Sequence, residues 1–203
     1  FHNPIYEKDR WAANRSKAFL IAVLSVNSVI TVIAIVVFMN MVSYMKTSSE
    51  NDYAALLQLY LTLAMAECLM IVFIAPALAG TGISQERENG NLELFLSTGV
   101  SPWQGILGKV VSCMNMMLVL IVTSLPVFSL VFVYGGVQMR DLIAMISVLL
   151  VVALEICSLS ILCSAGANRS VYAALSAYAS NLILIGGTLF VHLAPSLLYS
   201  SSV

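Results

Sequence analysis

Apolar positions fall into five runs, each long enough to cross a bilayer as a helix. They cover residues 18–44, 54–79, 110–134, 142–165 and 170–193. A hydrocarbon layer about 30 Å thick needs about 20 helical residues. Within the runs the pattern is neither amphipathic nor alternating. The stretch Val29-Ile30-Thr31-Val32-Ile33-Ala34-Ile35-Val36-Val37-Phe38 is apolar on all sides. A barrel strand would alternate every second residue. A helix surrounded by lipid or by other apolar helices need not. The predicted fold class is therefore all-α: a polytopic helical membrane protein with five visible spans in a single transmembrane domain, 1–203.

Polar residues gather in the connections. The segment 1–17 opens with Asn3 and Pro4, a helix N-cap followed by proline at the first helical position. It then mixes Ile5, Tyr6, Trp11 and Ala12 with Glu7, Lys8, Asp9 and Arg10. That suits a helix lying at the membrane interface. The connection 80–109 is longer than a bundle needs. Glu86, Arg87, Glu88 and Glu93 stand close together there, and Leu92, Phe95 and Leu96 lie beyond Gly90 at i, i+3, i+4 spacing. Gly90 can turn the chain between the two parts, and Asn91 can cap the second of them. The reading is a second span continuing as a polar helix to Glu88, then a short amphipathic helix from Leu92 to about Ser97. Gly99, Ser101 and Pro102 break it before the third span.

Composition narrows the class. Sixty percent of the 203 residues are apolar and 9% charged, too few charges to cover a water-soluble surface. Net charge is -1, which gives no basic face for nucleic acid. The basic residues fix an orientation. Lys8, Arg10, Arg15, Lys17, Arg87, Lys109 and Arg169 fall on one side; only Lys46 and Arg140 fall on the other. The positive-inside rule puts the N-terminus and 80–109 in the cytoplasm and 194–203 outside. The sequons at Asn14 and Asn168 then face the cytoplasm and carry no meaning.

Candidate chemistry is sparse. Glu67 and Glu155 are the carboxylates well inside spans, where charge is costly and often functional. They are candidates for a translocation path, protonated or bonded to a Ser, Thr or Asn of another helix. Asn27, Asn40 and Asn115 read as interhelical glue, and Pro126 as a kink in the third span. Ala173, Ser176, Ala177 and Ser180 give the fifth span a small-residue face, a candidate dimer interface. Cys68, Cys113, Cys157 and Cys163 lie in apolar runs without C-x-x-C spacing, so buried unpaired thiols are expected and no metal site. The string Gly105-Ile106-Leu107-Gly108-Lys109-Val110 lacks the spacing and hydroxyl of a phosphate loop. No catalytic site is expected. From the residues alone three classes stay open. One is a permease driven by a partner. A second is an ATPase-independent transporter or channel using Glu67 and Glu155. The third is a non-transporting membrane scaffold.

A run of residues resembles a known family. Pro76, then Ile83-Ser84-Gln85-Glu86-Arg87-Glu88-Asn89-Gly90-Asn91-Leu92-Glu93-Leu94-Phe95-Leu96, then Gly108-Lys109, is similar to the signature of ABC type-2 exporter permeases. Asn91 stands where threonine is usual, and Gly99 where proline is common. The resemblance implies a bacterial cytoplasmic-membrane protein working as a homo- or heterodimer with two soluble ABC ATPase subunits. ATP and magnesium would be bound by those partners and no cofactor by this chain. Glu86, Arg87, Glu88, Gly90, Asn91, Leu92, Glu93, Phe95 and Leu96 would form the ATPase-coupling element. Its apolar residues would be buried on the partner, and its charges would set register there. First and fifth spans would form the dimer contact. Cargo would be a drug, peptide, lipid or glycan. The family pattern has six spans, so one more is expected after Val203, with 194–203 beginning a re-entrant region. The opening Phe1 in place of Met likewise suggests trimmed ends.

Overall fold

The computed structural model describes residues 17–45, 52–90, 102–133 and 137–200. Among them lie α1 (Lys17–Met45), α2 (Asp52–Ala79), α3 (Ser84–Glu88), α4 (Pro102–Val133), α5 (Met139–Gly166) and α6 (Ser170–Ser200), and no strand. All but α3 are long and apolar enough to cross a membrane. In lipid each backbone N–H and C=O must be paired within its own helix, so uninterrupted apolar runs become uninterrupted helices. The interfacial helix expected in 1–17 and the amphipathic helix expected from Leu92 lie almost entirely outside the described residues.

Three boundaries differ from the reading of the sequence. Helix α4 starts at Pro102 instead of after it. Proline at a first helical position forfeits no hydrogen bond, so it starts a helix as readily as it stops one. Helix α6 runs on to Ser200, past the expected end at 193. The polar extension of the second span is not continuous with it. A turn over 80–83 separates α2 from α3.

Helix α2 is central and packs against α1, α4, α5 and α6; α5 also packs against α4 and α6. Ile30, Leu63, Ile71, Met117, Leu120, Phe128 and Ile161 fill the space between them and are fully or almost fully buried. The outer surface is apolar too, with Leu24, Ile35, Met65, Phe73, Val151, Leu182 and Ile183 exposed. A core and a surface of the same polarity suit a hydrocarbon solvent, not water. This is an all-α polytopic membrane protein.

Polar side chains stitch the helices at a few points. Asn27 of α1 donates to Thr123 Oγ1 of α4 at 3.0 Å. Asn181 of α6 donates to Ser160 Oγ of α5 at 3.1 Å. Tyr60 of α2 donates to the carbonyl of Asp141 at 2.9 Å. The expectation of four unpaired cysteines is corrected. Cys113 of α4 and Cys157 of α5 form a disulfide, with Cα atoms 6.3 Å apart, while Cys68 and Cys163 are free. The two are separated by 44 residues, so only helix packing brings them together.

Candidate functional site

Glu86, Arg87 and Glu88 of the 80–109 connection meet neighbouring helices at one end of the bundle. The last turn of α2 contains Pro76, whose carbonyl accepts from Gly80 N–H at 2.8 Å. A Cβ on Gly80 would lie 2.5 Å from that carbonyl oxygen and 3.1 Å from the Cβ of Ala177 on α6. Glycine suits this position chiefly because a side chain would meet the carbonyl of its own turn, with Ala177 of α6 a further tight contact. The chain then turns into α3, whose first amides are held by α5. Ser164 Oγ accepts from the N–H groups of Ile83 and Ser84, each at 3.1 Å. Both serines are fully buried. The hydroxyl of Ser164 thus satisfies helix-start donors that have no partner inside α3.

Three consecutive charged residues then point three ways, as steps of about 100° around a helix require. Glu86 Oε1 pairs with Lys109 Nζ of α4 at 2.9 Å. Arg87 reaches the C-terminal end of α5. Its Nη1 donates to the carbonyl of Ala167 at 3.1 Å and to Asn168 Oδ1 at 3.3 Å, and its Nη2 to the carbonyl of Ala165 at 3.1 Å. Glu88 reaches the first residue of α6. Its Oε1 accepts from Ser170 N–H at 3.1 Å and its Oε2 from Ser170 Oγ at 2.5 Å. The signs are complementary: the cation sits where carbonyls end a helix, and the anion where free amides begin one. The bonds from Ser170, its hydroxyl first and then its amide, hold the Glu88 carboxyl below the usual carboxylate range, with Arg169 adding to the effect. Gly90 closes the segment at φ +71°, the left-handed conformation that ends helices.

Glu86, Arg87 and Glu88, three residues of the coupling element that the resemblance implies, thus engage the chain's own helices. Gly90 stands two residues beyond Glu88. Asn91, Leu92, Glu93, Phe95 and Leu96 lie outside the described residues. The intramembrane candidates are far apart in character. Glu67 is fully buried and bonded to Ser124 of α4. Glu155 is exposed on the outer face of α5. The small-residue face of α6 divides likewise. Ala173 and Ala177 are fully buried within this chain, while Ser176 is exposed and Ser180 half-buried, with its Oγ 3.2 Å from Cys163 Sγ.

Sequence reasoning missed Ser84, Ser164 and Ser170 as members of this site. Ser170 did carry a signal, standing at the start of an apolar run after Asn168 and Arg169, where an N-cap or first-turn hydroxyl belongs. Ser164 carried none, because its role depends on α5 passing beside α3.

A bundle of apolar membrane-crossing helices, knotted at one end by a charged segment between the second and third, is the frame of a transport permease. Residues 4–201 match the family model described as ABC-2 family transporter protein. The chain belongs to that family, and membership supports a permease, the membrane component of an ABC transporter. No curated protein matches the sequence.

Proposed function

We propose that the chain is the permease subunit of an ATP-driven exporter in a bacterial cytoplasmic membrane, with its N-terminus and the 80–109 connection on the cytoplasmic side. A separate soluble ATPase binds ATP and magnesium, and the permease works as a dimer. The observation that best supports the reading is the three-way clamp formed by Glu86, Arg87 and Glu88. A soluble partner gripping the residues just after Gly90 would pull on a segment bonded to the ends of α4, α5 and α6. Motion there would be delivered to three spans at once, and α2 continues into the same segment. A bond pattern to a single helix could only move that helix.

In this scheme Leu92, Phe95 and Leu96 provide the apolar grip, and Asn91 and Glu93 begin the helix that carries them. Glu155, exposed at mid-helix, is the carboxylate available to a path or to a second copy; Glu67 is turned inward. Ser176 lies on the free side of α6, so a dimer contact along this helix would use that side, since Ala173 and Ala177 already pack within the chain.

The test is co-purification with the ATPase followed by L92A/F95A. Truncating two residues that grip the partner should remove on the order of 1–2 kcal/mol of binding, about 5- to 30-fold in affinity. ATP hydrolysis should then proceed without cargo movement in reconstituted vesicles. Undiminished coupling in the double variant would overturn the reading. Cargo flux from the permease alone under an ion gradient would replace it with an ATPase-independent carrier.

A further inference from the structure

Glu67 sits mid-way along α2, about 18 Å from Ala79 at 1.5 Å of rise per residue. It is 0% exposed. Its Oε1 lies 2.5 Å from Ser124 Oγ of α4, and its Oε2 has no hydrogen-bond partner among the described residues. The decisive atom is the single proton of Ser124. Ser124 Oγ also lies 2.8 Å from the carbonyl oxygen of Ile121. A carbonyl oxygen only accepts, so that bond uses the serine proton. Shared between two acceptors, the serine proton would serve the Glu67 contact poorly; a proton on the carboxyl would give that contact a donor of its own.

The surroundings agree. An ionised carboxylate accepts at both oxygens and is kept inside proteins by several donors or by a cation. Here one oxygen is bare. The helices packed on α2 carry charge near their ends, at Lys17, Lys109, Arg140 and Asp141. Glu155 is exposed on α5, Lys109 is paired with Glu86, and α6 has no charged residue between Ser170 and Val191. Among the described side chains of these helices, the other titratable groups are Cys68, half-buried beside Glu67, Cys163, the tyrosines Tyr60, Tyr172 and Tyr178, and the disulfide-bonded Cys113 and Cys157; His192 lies further along α6, outside the described side chains. None of the described groups supplies a positive charge.

We propose that Glu67 is a neutral carboxylic acid that donates its proton to Ser124, and that this acid-to-hydroxyl bond is a proton-dependent joint between the second and third spans. The chain of bonds runs from Glu67 O–H to Ser124 Oγ, and from Ser124 O–H to the carbonyl of Ile121. One residue away, Thr123 receives Asn27 of α1, so three spans are linked at one level. Loss of the proton removes the donor and places an unpaired charge among Leu63, Ile71 and Leu120, so the joint holds only while Glu67 is protonated. The inference does not depend on the transport reading.

Infrared absorption of the purified protein in lipid at neutral pH tests it. The wild type should show a protonated-carboxyl C=O band that is missing from E67Q and still present in E155Q. In S124A, where the acid loses its acceptor, the Glu67 band should move to higher frequency. Loss of carboxylate absorption in E67Q, in place of the acid band, would overturn the proposal. A second measurement uses unfolding midpoints. E67Q keeps an N–H donor for Ser124 and should stay near wild type; E67M keeps the size without the donor and should fall. An equal fall in both would overturn the donor role. Where E67Q does not fold, S124A on carbon-13-glutamate-labelled protein decides: a shifted acid band supports the joint, and an unmoved one refutes it.

Discussion

Arg87 is a single side chain that ends a helix other than its own. Three hydrogen bonds from one guanidinium close the carbonyl end of α5. Hydrogen bonds to charged groups are worth about 1.5–3 kcal/mol, less where solvent reaches them. Arg87 is half-buried, so R87A should lower unfolding stability by about 1–3 kcal/mol, measured by denaturant unfolding in detergent. R87K should recover only part, because an ammonium cannot span two carbonyls as the planar fork does. E86Q should cost much less, about 0–1 kcal/mol, since its ion pair with Lys109 is partly solvated. Gly90 is a backbone matter. At φ +71° an alanine should cost about 1–2 kcal/mol, with asparagine tolerated better, and no neighbour crowds the site. Glu88 gives a pH signature. Its carboxyl is held low in the fold, so its cap on α6 is fully present above the ordinary glutamate range and is lost as pH falls through the lowered value. A carbon-13 titration should find Glu88 charged at pH values where an unpaired glutamate is already protonated. An ordinary titration would show that the Ser170 bonds are not made in solution.

Between elements, the tightest approach at a glycine is that of α2 and α6. Gly80 lets α6 approach at Ala174 and Ala177, and Ala177 has no exposed surface. G80A drives a methyl group into a backbone carbonyl, and A177L fills space that does not exist. Overpacking of this kind costs about 1–3 kcal/mol. Both variants should show lower thermal midpoints, and A177L should also weaken the clamp, because α6 carries Ser170 at its start. The apolar periodicity of the runs told which segments become helices. It did not tell which small residues face a neighbour. Ala173, Ser176, Ala177 and Ser180 look equivalent in sequence, yet only the two alanines are buried. The difference lies in where α2 crosses, which no local pattern contains.

For the whole molecule, the clamp makes α2, α4, α5 and α6 answer to one short segment. R87A should therefore do more than lower stability. Under the proposed coupling to a partner ATPase, hydrolysis should continue while transport falls, because the segment after Gly90 would move without carrying α5 with it. Transport and hydrolysis falling in step would point to simple loss of folded protein.

What the sequence determined by itself was the solvent and the helices. Five long apolar runs with few charges admit only membrane-crossing helices, because lipid leaves the backbone no other partner. It also marked Glu86, Arg87, Glu88 and Gly90, because they stand in a connection longer and more charged than a bundle needs. Their partners came only from tertiary structure. Arg87 and the Ala165 carbonyl, Glu88 and Ser170, Glu67 and Ser124, and Cys113 and Cys157 are distant along the chain. Each pair forms because helix crossings bring together groups that apolar surroundings leave no other way to satisfy.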